Sequence, residues 1–264
     1  MYDFDYQRPT DAKAAAAAFQ GDARYLAGGQ SLVQAMRLRL AGSERLVDLG
    51  AIPALQGIRA GGGSVTIGAM TPHAAVAASP EVRQAIPALA QLAGWIGDPS
   101  VRNMGTLGGS IANADPAADY PAALLALGAT VQTDRRTIAA EQFFTGLYET
   151  ALQPGELVTA VSFPVPQAAG YEKYRNPASR FALVGVFVAK TATGVRVAVT
   201  GAKSHVFRSA ELEAALAASF TPAAAKAVRL PVAGMNADLH ASSDYRAAMV
   251  SVMASRAVAA ALAR

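Results

Sequence analysis

The first 50 residues alternate between segments that suit helices and short apolar runs that suit strands. An alanine-rich segment that Thr10 can cap predicts a helix at 10–19, and apolar residues at helical spacing predict another at 31–40. Short apolar runs predict strands at 24–27 and 45–49. A strand, a turn, a helix and a second strand in this order predict a small parallel β-α-β unit.

Residues 55–165 mix helical and strand patterns more closely. Strands are predicted at 64–69, 129–133 and 157–163. Helices are predicted at 71–78, 80–94 and 119–127. Between them, segment 97–116 is rich in glycine and asparagine, which predicts a long loop. Such a loop inside a compact domain is usually functional.

Prolines 164 and 166 mark a linker, so the sequence predicts domains at 1–166 and 167–264, the first with subdomains at about 1–55 and 56–166. Beyond the linker, apolar runs predict strands at 171–175, 181–190 and 195–202. From about residue 208 the pattern predicts alanine-rich helices, the last of which begins near Ser242. The fold class that these elements indicate is α+β.

Composition narrows the chemistry that this chain can carry. The sequence has no cysteine, which excludes disulfides, thiolate metal sites, iron–sulfur clusters and a cysteine nucleophile in this chain. The three histidines, His73, His205 and His240, lie far apart, so we predict surface or capping roles for them and no metal site. Redox chemistry would therefore need an organic cofactor or a partner.

Net charge and hydropathy bear on the binding partners and the cellular location of the chain. The net charge of +4 is spread along the sequence without a basic run, which argues against nucleic-acid binding. No signal peptide is visible, and no apolar run is long enough for a transmembrane segment. We therefore expect a cytoplasmic protein.

Residues 27–32, AGGQSL, join a predicted strand to a predicted helix. Gly28 and Gly29 let the backbone approach a ligand, and the unpaired amides of a helix start suit a phosphate, to which Ser31 can add a hydroxyl donor. The plainer interpretation is a glycine turn followed by a serine N-cap. The segment matches neither the dinucleotide motif GxGxxG nor the P-loop.

Residues 98–119, DPSVRNMGTLGGSIANADPAAD, form the second candidate ligand-binding segment. Three glycines (Gly105, Gly108 and Gly109) stand among small hydroxyl and amide side chains, a composition that resembles an anion cradle. The alternative is a connecting loop with capping residues. Two turns suited to phosphates indicate a ligand with two phosphates, such as a pyrophosphate held from both sides.

Together with IGAMT at 67–71, PGELVTAVSFPVP at 154–166, and YEKYR and SRFALVGV within 171–186, these segments resemble the FAD-binding medium subunit of molybdenum hydroxylases. The resemblance is to the carbon monoxide dehydrogenase medium-subunit type, related to the flavin domain of xanthine dehydrogenase, and covers essentially the whole chain. It implies a two-part FAD-binding domain of the vanillyl-alcohol-oxidase/PCMH type and a small C-terminal domain of three antiparallel strands and a helix bundle.

The resemblance implies cofactor contacts along the whole chain. They fall on Ala27, Gly28, Gly29, Gln30, Ser31, Leu32, Gly68, Thr71, Thr106, Leu107, Gly108, Gly109, Ser110, Asn113, Asp119, Val158, Lys173 and Phe181. Segments 27–31 and 106–110 would hold the pyrophosphate. Asp119 would contact the adenosine end, Val158 would contribute a backbone contact, Lys173 would lie near the flavin, and Phe181 would stack on the isoalloxazine ring.

Three positions depart from the family pattern, and some side chains have plainer interpretations. Ser110 stands where asparagine is usual, Arg180 where an acid is common, and Phe181 where a tyrosine is found. Phe181 could instead be a core strand residue, and Lys173 a solvated strand lysine. Trp95 matches an aromatic position near the flavin, which packing explains equally well.

The resemblance implies an electron-transfer subunit with no substrate-oxidising residues of its own. A large partner subunit would bind molybdopterin, a small one would carry [2Fe-2S] clusters, and FAD in this chain would pass electrons to an external acceptor such as NAD⁺, a quinone or oxygen. We expect a dimer of heterotrimers. The alternatives are a non-catalytic nucleotide-binding or assembly protein of the same fold, and a stand-alone FAD oxidase.

Overall fold

The N-terminal segment forms a small parallel sheet with two short helices. A computed structural model describes residues 1–263, beginning with β1 (Asp5–Gln7), α1 (Ala12–Ala18), β2 (Ala23–Leu26), α2 (Leu32–Arg37) and β3 (Arg45–Asp48). Strand β3 lies between β1 and β2 and is parallel to both, which confirms the predicted β-α-β unit. Asp11, and not Thr10, caps α1, because its carboxylate accepts a hydrogen bond from the Ala14 amide at 2.8 Å.

A five-stranded antiparallel sheet forms the centre of the molecule. Its strands are β4 (Ile58–Gly61), β5 (Ser64–Gly68), β6 (Thr130–Thr133), β7 (Thr137–Ala139) and β10 (Val158–Pro164), in the order β4-β5-β10-β6-β7. The short helix α9 (Ala140–Phe143) and a two-stranded hairpin, β8 (Phe144–Gly146) with β9 (Glu149–Thr150), connect β7 to β10. Buried Val65, Ile67, Val131, Val161 and Phe163 form the core-facing side of this sheet.

Short helices cover the sheet, and here two sequence predictions are wrong. The helix expected at 80–94 is two helices, α4 (Pro80–Ala85) and α5 (Pro87–Gly94), because Pro87 disfavours a helical conformation at Ile86. Helix α3 (His73–Ala78) precedes them. The loop expected at 97–116 contains α6 (Pro99–Met104) and α7 (Leu107–Asn113), whose N-caps are Asp98 and Thr106.

Helix α8 (Tyr120–Leu127) is buried on every side. All eight of its residues are buried, because the helix lies between the central sheet and the C-terminal sheet. It is apolar around its whole circumference, as is typical of a helix without a solvent face. The helix therefore joins the two halves of the chain.

The C-terminal region is an antiparallel sheet covered by helices. Its strands are β11 (Ala168–Arg175), β12 (Ala182–Thr191), β13 (Gly194–Thr200) and the two-residue β14 (Phe207–Arg208), in sequence order. Helices α10 (Ala210–Ala218), α11 (Pro222–Ala227) and α12 (Ser243–Leu262) follow. The three predicted strands are present, and β14 is the one that the sequence pattern misses. In residues 1–263, no helix is both long enough and apolar enough to cross a membrane.

Candidate functional site

A cleft of about 390 Å³ brings the two glycine-containing segments together. Of the residues predicted to bind a cofactor, those that line it are Ala27, Gly28, Gly29, Gln30, Ser31, Leu32, Thr106, Gly108, Gly109, Ser110, Asn113, Asp119, Val158 and Phe181. Gly68, Thr71, Leu107 and Lys173 lie outside the lining. The cleft has the size and the mixture of apolar walls and placed polar groups that are typical of cofactor sites.

The two segments touch each other at glycines. A Cβ atom on Gly28 would lie 2.0 Å from the Met104 carbonyl oxygen and 2.7 Å from the Gly105 Cα. A Cβ on Gly109 would lie 3.2 Å from the Ala27 side chain. Any larger residue at position 28 would push the segments apart. Packing between the segments therefore requires glycine, in addition to the close approach of a ligand.

Backbone amides distinguish the first segment from the second. The amides of residues 28–32 have no hydrogen-bond partner within residues 1–263, and these residues line the cleft at the start of α2. Such unpaired amides suit a phosphate. By contrast, the four amides that begin α7 are all bonded within the chain: Leu107 to the Thr71 carbonyl, Gly108 to the Ala69 carbonyl, and Gly109 and Ser110 to Thr106.

Three of the predicted residues that do not line the cleft instead bond to or pack against the chain next to it. The Thr71 hydroxyl donates to the Gly57 carbonyl and accepts from the Gly57 amide, each at 3.1 Å. Gly68 packs so closely that a Cβ atom there would lie 2.4 Å from the Leu55 carbonyl oxygen. Leu107 is fully buried in the core. In this geometry these residues hold the segments in place.

His73 lines the cleft, and sequence reasoning missed it. The side chain is buried, so the predicted surface or capping role is wrong for this histidine. Within residues 1–263 its Nδ1 atom has no hydrogen-bond partner, and a Cβ on Gly105 would lie 2.7 Å from its Nε2 atom. Burial, together with the nearby Arg102 charge, lowers the pKa of His73 to about 4, so the ring is neutral at pH 7. Position 73 at the start of a helix is the only signal in the sequence.

A buried ion pair lies beside the cleft. The Lys173 Nζ atom is 2.9 Å from the Asp119 carboxylate, and the two side chains are 1% and 4% exposed. The interpretation of Lys173 as a solvated strand lysine is therefore wrong. The Tyr171 hydroxyl donates a short hydrogen bond to the same carboxylate. Burial raises the pKa of Asp119, and the Lys173 ammonium and the Tyr171 hydroxyl oppose that rise.

Phe181 is an exposed aromatic side chain at the wall of the cleft. It is 45% exposed and stands one residue before β12, so the interpretation as a core residue is wrong. It follows Arg180, whose φ of +63° lies in the left-handed region. The Asn176 amide donates to the Phe181 carbonyl, and the Arg180 amide donates to the Asn176 carbonyl, so the turn is closed by backbone hydrogen bonds. An aromatic face held in this way can stack on a planar ring.

The cleft also contains charged residues that sequence reasoning did not single out. Arg24 is exposed at the wall, and Glu156 is buried there in an ion pair with Arg136, whose Nε atom lies 2.8 Å from the carboxylate. The hydrogen bond from Arg136 lowers the pKa of Glu156 to about 2. Arg24 adds a positive charge to the cleft, and Glu156 keeps its charge paired with Arg136.

Comparison with known proteins places this geometry in a family. The family model described as an FAD binding domain in molybdopterin dehydrogenase matches residues 2–166. The chain belongs to the FAD-binding medium subunits of molybdenum hydroxylases. This medium subunit is thus an oxidoreductase component whose cofactor is FAD, and the family that the sequence motifs indicated is confirmed.

Individual relatives agree with that assignment along most of the chain. The carbon monoxide dehydrogenase medium chain of Afipia carboxidovorans is 41% identical over 72% of this chain and 70% of its own length. The nicotine 6-hydroxylase medium subunit of Paenarthrobacter nicotinovorans is 37% identical over 73% and 71%. A structure of reconstituted CO dehydrogenase from Oligotropha carboxidovorans superposes with a TM-score of 0.89 at 35% identity, covering 100% of this chain and 99% of that one. The predicted α+β fold is confirmed.

Proposed function

We propose that this medium subunit transfers electrons within a multi-subunit molybdenum hydroxylase. It takes electrons from [2Fe-2S] clusters of a small partner subunit and passes them to an external acceptor, while a large partner subunit binds molybdopterin and oxidises the substrate. FAD supplies the redox chemistry of this chain when it is bound. The observation that carries the proposal is the phosphate-suited cleft in a chain that matches a CO dehydrogenase chain over its full length.

Residues 28–32 provide the principal phosphate site in this proposal. Their unpaired amides and the Ser31 hydroxyl hold the pyrophosphate from one side. Helix α7 faces them from the other side and contributes the hydroxyl of Ser110 and the amide side chain of Asn113, since its own backbone amides are already bonded. Phosphate binding is therefore asymmetric, with backbone donors on one side and side-chain donors on the other.

The remaining lining residues surround the other parts of the cofactor. Phe181 presents its ring to the isoalloxazine system, Val158 supplies a backbone contact, and Asp119 is assigned to the adenosine end as in the sequence interpretation. Thr71, Gly68 and Leu107 act through the backbone that they hold. No acid, base or nucleophile of this chain acts on the substrate, because substrate oxidation belongs to the molybdenum subunit.

The proposed assembly is a dimer of heterotrimers in the cytoplasm. Support for the multi-subunit part of this proposal comes from the relatives, which are medium chains or medium subunits by name, and from the likeness to a solved Cu,Mo-CO dehydrogenase. Because this sequence has no cysteine, the [2Fe-2S] clusters must be bound by another chain, which has to dock close to the cleft. We propose the division at residue 166 as the boundary between the FAD-binding domain and a C-terminal domain.

Reconstitution tests the proposal against its alternatives. The purified chain is incubated with FAD, desalted, and measured for bound flavin by absorbance, with adenosine diphosphate as the competing ligand. We expect one FAD per chain, no oxidase turnover by the chain alone, and flavin reduction only when the large and small subunits and a reducing substrate are added. A colourless chain that still binds adenosine diphosphate would favour the non-catalytic nucleotide-binding alternative. Turnover without partners would favour the stand-alone oxidase.

A further inference from the structure

The Lys173 ammonium joins three segments of the chain at one buried point. Its Nζ atom donates to the Asp119 carboxylate at the start of α8, to the Trp95 carbonyl at 3.0 Å and to the Arg180 carbonyl at 2.9 Å. An ammonium has three N–H donors, and these three acceptors use all of them. With its side chain only 1% exposed, Lys173 has neither a donor nor open surface left for a ligand in the cleft.

Of the two carbonyls that Lys173 binds, one belongs to a residue that lines the cleft, and the other directly precedes two residues that do. Trp95 directly follows α5 and precedes Ile96 and Gly97, which line the cleft. Arg180 lines it together with Phe181, the next residue along the chain. One side chain therefore links the wall segment 95–97 to the wall segment 179–181. The distance between these segments depends on the Lys173 ammonium together with the Arg180 guanidinium, which donates to the Gly97 carbonyl.

Two arginines continue the same arrangement along segment 95–97. Arg102 donates to the carbonyls of Ile96 and Gly97 at 3.0 and 3.1 Å, and Arg180 donates to the Gly97 carbonyl at 3.1 Å. The carbonyls of three successive residues at the C-terminal end of α5 are each bonded to a cationic side chain. Cations are favourable at this end of a helix because the free carbonyls carry partial negative charge.

The carboxylate that balances Lys173 is itself fixed by the C-terminal sheet. Tyr171, two residues before Lys173 on β11, donates to Asp119 through its hydroxyl. Gly185 pairs with Lys173 across the sheet, and a Cβ atom there would lie 2.6 Å from the Tyr171 hydroxyl oxygen. The absence of a side chain at position 185 thus gives the tyrosine room. Strands β11 and β12 hold the whole cluster in one orientation.

We propose that Lys173 is a positioning residue for the flavin end of the cleft: it fixes the segments 95–97 and 179–181 relative to each other and thereby orients Phe181, without contacting the cofactor. The proposal rests on the proposed function, since it assigns Phe181 to the flavin ring. A replacement of the ion pair by apolar residues would be tolerated energetically. Such a replacement would, however, leave the Trp95 and Arg180 carbonyls without a shared donor. The need for that donor accounts for a lysine at this buried position.

The first test uses the chain without flavin, so that it does not depend on FAD binding. Amide hydrogen exchange is compared in wild type, Lys173→Met, Lys173→Met/Asp119→Asn and, as the matched control on the same sheet, Lys190→Met. The double variant leaves no unpaired charge buried, and the asparagine can still accept from Tyr171. We expect the amide exchange rate in peptides covering 95–97 and 179–181 to rise about tenfold in both Lys173 variants. Local opening of these segments no longer has to break the Lys173 hydrogen bonds, so opening costs less free energy.

The outcomes of this test are distinct. Faster exchange confined to the two wall segments, with α12 and the Lys190→Met control unchanged, supports the proposal. Wild-type exchange in both segments of the double variant overturns it. An equal rise along the whole chain of the double variant also overturns it, because Lys173 would then contribute general stability only.

The second test uses the FAD-loaded chain and has a spectroscopic readout. We expect Lys173→Met, which keeps the Asp119 assigned to the adenosine end, to retain FAD through residues 28–32 but to show a changed visible circular dichroism of the flavin and a shifted reduction potential. If amide exchange in the two wall segments is faster but the flavin spectrum and reduction potential are unchanged, the positioning role is overturned. If wild type itself takes up no FAD, the proposed function fails, and the exchange experiment still decides whether Lys173 links the segments.

Discussion

At the scale of single residues, glycines in the two cleft segments serve both the close approach of a ligand and the packing of the segments on their neighbours. The sequence placed Gly28, Gly29, Gly108 and Gly109 at a ligand because glycine permits close approach. Packing adds a second requirement: Gly28 contacts the backbone of residues 104–105, and Gly108 contacts Ala69. These neighbours are distant in sequence, so the pattern could predict the positions but not what they touch.

Gly108→Ala tests the packing requirement. A Cβ at this position would lie 2.6 Å from the Ala69 Cβ and 2.8 Å from its carbonyl oxygen, so the neighbours must shift. We expect a loss of about 1–3 kcal/mol in the free energy of unfolding, as is usual for overpacking, measured by urea denaturation. Gly61→Ala is the matched control, because a Cβ there meets nothing within 4 Å. Equal losses in the two variants would contradict the argument.

His73 makes stability depend on pH in a defined window. Its pKa is lowered from 6.5 in the unfolded chain to about 4 in the folded one, so the folded state favours the neutral ring. Above pH 6.5, the titration of His73 does not change the free energy of unfolding. As pH falls from 6.5 to 4, the unfolded chain binds the proton first. The free energy of unfolding of wild type therefore falls by up to about 3 kcal/mol more than that of His73→Gln. Urea unfolding between pH 7 and 4 measures the difference.

The exposed His240 provides the control for that experiment. His240→Gln should leave the pH profile of the free energy of unfolding like that of wild type. A constant difference between wild type and His73→Gln across pH 7 to 4 would show that the buried ring carries no such penalty.

At the scale of elements, the apolar patterns of the C-terminal strands and of α8 were predicted well, whereas the two short helices inside the glycine-rich segment 97–116 were not. Strands β12 and β13 and helix α8 appear close to their predicted bounds because burial repeats over many residues. Helices α6 and α7 have six and seven residues, too few for a periodic pattern, and the glycines within α7 and on either side of α6 suggested a loop. Their N-caps, Asp98 and Thr106, are the signal that could have identified them.

Thr106→Ala tests whether the cap of α7 serves the cleft. The Thr106 hydroxyl accepts from the Gly109 amide at 3.1 Å, and its loss should reduce stability by about 1 kcal/mol. Thr221→Ala is the matched control, since the Thr221 hydroxyl caps α11 away from the cleft by accepting from the Ala224 amide at 3.2 Å. We expect similar stability losses in urea but weaker FAD retention after desalting for Thr106→Ala only. Equal FAD retention in the two variants would show that the Thr106 cap does not contribute to cofactor binding.

At the scale of the whole molecule, the sequence suggested two domains, and the hydrophobic core crosses the proposed boundary. Tyr171, Phe187 and Ala198 of the C-terminal sheet belong to the same core cluster as α8 and the central sheet. The Thr200 hydroxyl lies within hydrogen-bond distance of the carbonyls of Pro116 and Ala118, at 2.8 and 2.7 Å. A linker signal such as Pro164-Val165-Pro166 shows where the chain crosses over, but not how much apolar surface the two sides share.

This shared core predicts that both halves unfold together, although chains of this length often unfold through intermediates. Trp95 is the only tryptophan, and its ring centroid lies 6.2 Å from that of Tyr171, so its fluorescence reports on the junction. We expect the urea transitions of Trp95 fluorescence and far-ultraviolet circular dichroism to coincide. Thr200→Val, which takes the hydroxyl from two buried carbonyls, should move both midpoints together and lower stability by about 1–3 kcal/mol. A circular dichroism signal lost in two steps would show instead that each half has an independent core.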